Sequence, residues 1–297
     1  MSEIKFLLGP MRIPFLILTP ACVLLGLGSA VWTCGNVNIF YLFLVFIGAL
    51  SAHISVNALN EYFDFKSGLD LKTKRTPFSG GSGALPERPE KAYTGLITGL
   101  TTLAVTAFIG FYFLYVRGLL LLPLGLVGLF IIFAYTIWIV NHPILCLIAP
   151  GLGFGPLMVM GTDFVLTGGY SWTAFISSLI PFFLVSNLLL LNQFPDVDAD
   201  RSIGRKHLPI VVGKRISTII YGIFLLSTYA VIIVGVYFKY LPWACLTGLA
   251  TAAIAIPTVV GIFRYSENIE KLTPYMGLNV IINIATPLLV AIGFFVG

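Results

Sequence analysis

NALNEYFDFKSGLD, residues 57–70, closes a long apolar run by adding Glu61, Asp64 and Asp70. The chain has 297 residues, of which 58% are hydrophobic and only 10% charged, and its mean hydropathy is +0.99. In such a chain, charges at the end of an apolar run mark where a helix leaves lipid. A soluble domain of this length needs a charged surface that this composition does not supply. The sequence therefore reads as an all-α polytopic membrane protein.

Apolar runs of about 20 residues predict nine transmembrane helices, at 11–31, 39–64, 92–115, 118–140, 144–166, 172–195, 217–237, 241–262 and 273–296. All of 1–297 reads as one transmembrane domain. The first span follows Arg12 without a small-residue cleavage site, as expected of a retained helix. Of the 17 Lys and Arg residues, all but Arg117 and Lys239 fall on one side of this arrangement, from Lys5 to Lys271. The positive-inside rule puts that side in the cytoplasm, with the N-terminus and both long polar loops, as expected of a cell-membrane protein. The net charge of +5 suits anionic lipid or an anionic substrate. Basic residues on short loops between spans do not suit nucleic acid. Cys22, Cys34, Cys146 and Cys245 form no CxxC pair and read as small hydrophobes.

In the second span, His53, Asn57, Asn60 and Asp64 recur at steps of 4, 3 and 4, one narrow helical stripe. Polar side chains inside a span face the bundle interior or a watery cavity. Asp70 falls beyond Gly68, on the loop. The sixth span ends similarly, with Asn192, Asp196 and Asp200 at i, i+4 and i+8. Pro195 removes a backbone donor and is expected to kink or end that helix near Leu191; Asp198 falls off the stripe. The two segments form a parallel repeat separated by four spans, each an Asn, two aspartates and a basic loop. Glu61, Asp64, Asp70, Asp196, Asp198 and Asp200 are six of the 12 acidic residues. Facing one another at a low-dielectric mouth, they would repel unless cations bind between them. Mg²⁺ takes one or two carboxylates plus substrate phosphates, and nearby Lys and Arg would hold the remaining phosphate charge. The pattern describes a site for a diphosphate on a lipid-soluble tail.

These motifs, with RTPFSGGSG (75–83) and GRKHLPIVVG (204–213), resemble the UbiA superfamily of intramembrane aromatic prenyltransferases along essentially the whole chain. NALNEYFDFKSGLD is most similar to the menaquinone-pathway branch, which prenylates 1,4-dihydroxy-2-naphthoate. The resemblance implies nine helices in a horseshoe around a central cavity, with cytoplasmic cap loops and a sideways opening to lipid. It implies an isoprenyl diphosphate and Mg²⁺ held by Asn60, Asp64, Asp70, Asn192, Asp196 and Asp200. Arg12, Tyr135 and Thr136 match positions near the diphosphate. Glu61 stands where an Asp commonly follows the Asn, and His207-Leu208 replaces Thr-Leu. Asn141 and His142 stand where some members place a Lys, which turns attention to Lys72, Arg75 and Lys206 as diphosphate contacts.

The chemistry so implied is transfer of a polyprenyl group to a small aromatic acceptor through an allylic carbocation, with release of diphosphate. Phe63 and Phe65 are candidates to shield the cation. His53 and Asn57, deeper on the stripe, are candidates for the acceptor end or for bonds within the bundle. Asn279 and Asn283 read as interhelical contacts, and the SGGSG run as a phosphate cradle or a hinge. The acceptor stays open among naphthoate, hydroxybenzoate, homogentisate, haem, chlorophyllide and a prenylated glycerol phosphate. A cation-coupled transporter would instead place its acids near the bilayer midplane. A scaffold subunit would bind no diphosphate.

Overall fold

A computed structural model describes residue 6 and residues 8–297. Among them, nine helices are long and apolar enough to cross a membrane: α1 Gly9–Cys34, α2 Ile39–Lys66, α3 Pro89–Arg117, α4 Leu119–Ile137, α5 Pro143–Thr167, α6 Trp172–Asn192, α7 Lys214–Tyr237, α8 Trp243–Tyr265 and α9 Ile269–Val296. The expected spans fall on these nine, with ends differing by a few residues. Side-chain caps start several of them: Asn38 Oδ1 accepts from the amides of Phe40 (2.9 Å) and Tyr41 (3.2 Å), and Ser171 Oγ from Ala174 (3.0 Å). The protein is an integral membrane protein.

α1 does not begin as a regular α-helix. Two 3₁₀ turns, Gly9–Met11 and Ile13–Ile17, flank Arg12, whose backbone is left-handed at φ 51°. Such a conformation is held only where the surroundings over-determine it, and for Arg12 the surroundings are the site described below. α5 is irregular at its centre, with a π-helical stretch over Gly153–Met160 and prolines at Pro150 and Pro156. Gly151 and Gly155 face Phe182 on α6 so closely that a Cβ at either would overlap it. Small residues at a helix contact let the two backbones approach.

α2 packs on α3, α1 on α9, and α5 on α6. α7 and α8 lie outside, against α6 and α9, and add nothing to the wall of the central cavity. That cavity, about 480 Å³, is lined from α1 to α6 and from α9, with Thr73, Phe78, Ser79, Gly80 and Gly81 contributed by the loop after α2. Its residues run from Arg12, Asp64 and Asp196 at the basic end of the bundle to Phe113, Leu121 and Val165 at the other.

The charge bias has a structural exception in Arg117, whose Nε and Nη2 donate to the carbonyls of Val165 (2.6 Å) and Leu166 (3.0 Å). It caps the end of α5 and lies 5.0 Å from the Tyr41 ring, so this cation serves packing. Lys5 lies outside the described residues. The four cysteines are free, and Cys34 is exposed rather than buried.

Candidate active site

α2 continues unbroken to Lys66, and His53, Asn57, Asn60 and Asp64 all line the cavity. The stripe expected from their spacing is one wall of a real cleft. Gly68, at φ 76°, then turns the chain so that Asp70 sits on a 3₁₀ turn, Leu69–Leu71, buried and facing the same cavity.

The second motif uses a different backbone. α6 stops at Asn192, and Asp196 lies in the turn that precedes a short helix, Val197–Ser202. The residue before a proline avoids the helical region, so Pro195 ends the expected single face. Asp200 keeps its helical relation to Asp196, its amide donating to the Asp196 carbonyl at 2.9 Å. Asn192, Asp196 and Asp200 line the cavity, whereas Asp198 is exposed, as its off-stripe position implies.

The two motifs meet at Arg205. Its Nη2 donates to Asp64 Oδ1 and its Nη1 to Asp200 Oδ1 at 3.2 Å. His207 Nδ1 lies 2.9 Å from the other Asp200 oxygen. Across the mouth runs the 79–83 loop. Ser79 Oγ donates to Asp196 Oδ1 (3.3 Å), while the Ser82 amide and hydroxyl donate to Glu61 (2.7 and 2.9 Å). One loop therefore ties both acidic segments together. Gly81, at φ 71°, lets its backbone come so near that a Cβ would stand 3.3 Å from both Asp70 Oδ1 and Glu61 Oε1.

Glu61 also accepts from Arg12 Nε at 2.7 Å, and Arg12 Nη2 donates to Asn60 Oδ1 at 3.2 Å. Asn60 in turn donates to Thr136 Oγ1 (3.2 Å), and Asn57 Nδ2 to the Met11 carbonyl (3.1 Å). These bonds hold the left-handed turn that aims Arg12 into the cavity. The Glu61 position is thus a fastening point for Arg12 and the glycine loop. Thr136 orients Asn60 and does not line the cavity; Tyr135 does.

Lys72, Arg75 and Lys206 are exposed and do not line the cavity. Lys72 Nζ donates to Ser202 at the surface (3.3 Å). The cavity's guanidinium groups are Arg12, expected from the sequence, and Arg205, which was not. Arg205 lines the cavity while its neighbour Lys206 is exposed, a difference that spacing alone does not resolve. Phe63 and Phe65 are absent from the wall as well. His53 does line it, its Nδ1 2.9 Å from Thr19 Oγ1 and its ring edge-on to Phe154. Asn279 accepts from the Tyr221 hydroxyl at 2.8 Å, the interhelical role expected of it; Asn283 lines the cavity.

Electrostatics at the mouth follow from burial. Asp70 is pushed up to about 7, by burial first and then by Glu61 and Asp64. Asp196 also rises to about 7, through burial and the nearby Asp200. Burial lowers the His207 imidazole, but its contacts with Asp200 and Cys146 outweigh that and leave it at about 9. The acidic mouth is thus incompletely neutralised by the protein's own cations.

The donor set suits a hard divalent ion. Asp70 Oδ2 and Asn192 Oδ1 are buried without a partner, and buried polar oxygens ordinarily have one. Among the described residues no three His, Cys, Asp or Glu side chains converge tightly enough to hold an ion alone. Mg²⁺ keeps waters and binds through one or two carboxylates together with substrate phosphates, and the unpartnered Asp70 and Asn192 oxygens are donors of that kind.

Comparison with known proteins places this geometry. The profile of the UbiA prenyltransferase family matches residues 19–281. The chain is 28% identical over 199 residues to 1,4-dihydroxy-2-naphthoate octaprenyltransferase of Bacillus subtilis, a match covering 65% of this chain and 61% of that enzyme. Its fold superposes with TM-score 0.70 on a digeranylgeranylglyceryl phosphate synthase structure, at 17% identity over 100% of both chains. It superposes with TM-score 0.64 on a UbiA homologue from Archaeoglobus fulgidus bound to DMAPP and Mg²⁺, at 13% identity over 97% of this chain and 99% of that one.

Proposed function

The chain belongs to the UbiA prenyltransferase family, and on that premise we propose that it transfers a polyprenyl group from an isoprenyl diphosphate to an aromatic acceptor of the 1,4-dihydroxy-2-naphthoate type. The reaction depends on Mg²⁺ and takes place at the cytoplasmic face of the cell membrane. The observation that carries this reading is the shape of the central cavity: carboxylates and two guanidiniums at its mouth, and an apolar interior reaching Leu121 and Val165 at the far end of the bundle. Such a cleft fits an amphiphile with a diphosphate head and a long hydrocarbon tail.

In this reading Asp64, Asp70, Asp196 and Asp200, with Asn60 and Asn192, hold the ion, and Arg12 lies against the diphosphate. Mg²⁺, when bound, supplies charge neutralisation for the departing diphosphate. The residues do the rest. Arg12 is fixed in advance by Glu61 and Asn60, so it stabilises leaving charge without reorganising. The allylic C–O bond breaks, the electron pair leaves with the diphosphate, and the apolar wall keeps water from the cation. A ring carbon of the acceptor attacks the allylic carbon, and the ring regains aromaticity by losing a proton or a carboxylate.

Two observations support a hydroxylated ring as acceptor. The naphthoate-prenylating relative carries the first. For the second, Gln193 and Asn283 line the cavity, and each has a buried side-chain carbonyl oxygen without a donor, ready to accept from ring hydroxyls. A phosphate-bearing acceptor would need a further cation, and the guanidiniums on the wall, Arg12 and Arg205, are both at the diphosphate end. The test is to incubate purified protein with geranylgeranyl diphosphate, Mg²⁺ and a panel of acceptors, identifying products by mass. Prenylated naphthoate is expected. Product only with a glycerol phosphate would overturn the acceptor, and no diphosphate release with any acceptor would overturn the reading.

A further inference from the structure

Arg205 lies between the two acidic motifs and bonds a carboxylate of each. Its guanidinium bridges Asp64 and Asp200, residues 141 and 5 positions away in sequence, and its side chain is only 10% exposed. Among the described residues Arg205 alone bonds both carboxylates, Ser79 engaging Asp196 and Arg12 engaging Glu61. A guanidinium and a divalent cation compete for Asp64, because two like charges on one buried carboxylate repel each other. Arg205 is nonetheless well placed to move. It follows Gly204, at φ 83°, where an added Cβ would meet open space, and its side chain lines the cavity. A displaced guanidinium has a natural destination, because its planar fork fits phosphate oxygens as well as carboxylates.

We infer that Arg205 is a built-in counter-cation, which clasps Asp64 and Asp200 together in the empty enzyme and passes to the diphosphate when Mg²⁺ takes those carboxylates. This rests on the reading of the mouth as a Mg²⁺–diphosphate site. The bridge offsets part of the mouth's negative charge without ligand. It makes metal binding weak until diphosphate arrives to receive the arginine. Metal and diphosphate therefore bind cooperatively, and Arg205 is the coupling element.

The test uses the full chain in detergent, with Mn²⁺ as a spectroscopic stand-in for Mg²⁺ and inorganic pyrophosphate as the head-group probe. Wild type should bind Mn²⁺ weakly alone and more tightly with pyrophosphate. Arg205→Gln should bind Mn²⁺ alone on the order of tenfold tighter and pyrophosphate with Mn²⁺ on the order of tenfold more weakly, a usual size for such coupling. It should also melt lower than wild type without metal and recover when Mn²⁺ is added, which a purely structural arginine would not do. Arg205→Lys keeps the charge and loses the fork, so both affinities should fall between; it carries the test if the Gln variant does not fold. Unchanged or weaker Mn²⁺ binding in these variants, with pyrophosphate binding retained, would make Arg205 a static bridge and overturn the proposal. If wild type and variants alike bind neither probe, the diphosphate-site reading fails, and this inference with it.

Discussion

Asp64 rides on the last turns of a 28-residue helix, whereas Asp196 sits in a turn past a helix that Pro195 has ended. The two motifs look like copies in sequence, yet one presents its carboxylates from a rigid wall and the other from a hinge-like connection. The difference shows in their bonding. The first is fixed through Asn60, Glu61, Arg12 and Thr136, with Ser82 on Glu61 and Arg205 on Asp64. The second is held by loop residues, Ser79 on Asp196, and Arg205 and His207 on Asp200. The site thus pairs a jaw carried by a long helix, the fixed one, with a jaw carried by a turn and a short helix, the adjustable one.

The comparison breaks first if the acids are neutralised. Asp64→Asn and Asp196→Asn should each lower kcat on the order of 10²-fold or more, the loss typical of removing one preorganised contact to a reacting charge. A kinetic assay of diphosphate release measures this, and full activity in both variants would remove their assigned role. Cutting the fixed jaw is next. Glu61→Ala strands Arg12 and the Ser82 donors in a buried place, and breaking such a pair costs about 3–5 kcal/mol. Its melting temperature in detergent should fall well below that of Ser79→Ala, which removes a single bond from the adjustable jaw.

Acidity separates the jaws more gently. Asp70 and Asp196 both stand at about 7 without metal. Below that pH they are protonated, and metal binding must release the protons. Divalent-ion affinity should therefore rise with pH and fall as pH drops from 8 to 6, by up to about tenfold per unit for each proton released. Mn²⁺ titrations at the two pH values check the sign, and Asp196→Asn should flatten the dependence. The smallest effect concerns the cavity's interior. Gly125 lines it, and a Cβ there would meet no neighbour within 4 Å. Gly125→Leu should leave activity on a short prenyl diphosphate near wild type and reduce it several-fold on a long one, since each methylene excluded from an apolar pocket is worth about 1–3 kcal/mol. Competition between the two donors, with products separated by mass, measures it.

Several of these residues were readable before any fold was known. The nine helices follow from hydropathy because lipid leaves a chain few other ways to satisfy its backbone. The stripe His53, Asn57, Asn60 and Asp64 follows from helical spacing, since α2 has no break between them. For Asn192 and Asp196 the spacing holds only in outcome, since Pro195 substitutes the expected break for a helix and both still reach the cavity. It could not separate Arg205 from Lys206, or find that Glu61 fastens Arg12 to Ser82, because those contacts join segments far apart in the chain.

By itself the sequence determined that this chain lies in a membrane, which side carries its cations, and that two acidic segments leave on that side. Each of these depends on local composition and period, which a window of a few residues contains. Only the tertiary structure decided which cations face the acids, that a glycine loop binds both motifs, and that one apolar cavity runs on from them. Those outcomes depend on helix packing and loop closure. There, a side chain's partner is set by the directions of several elements at once rather than by its neighbours along the chain.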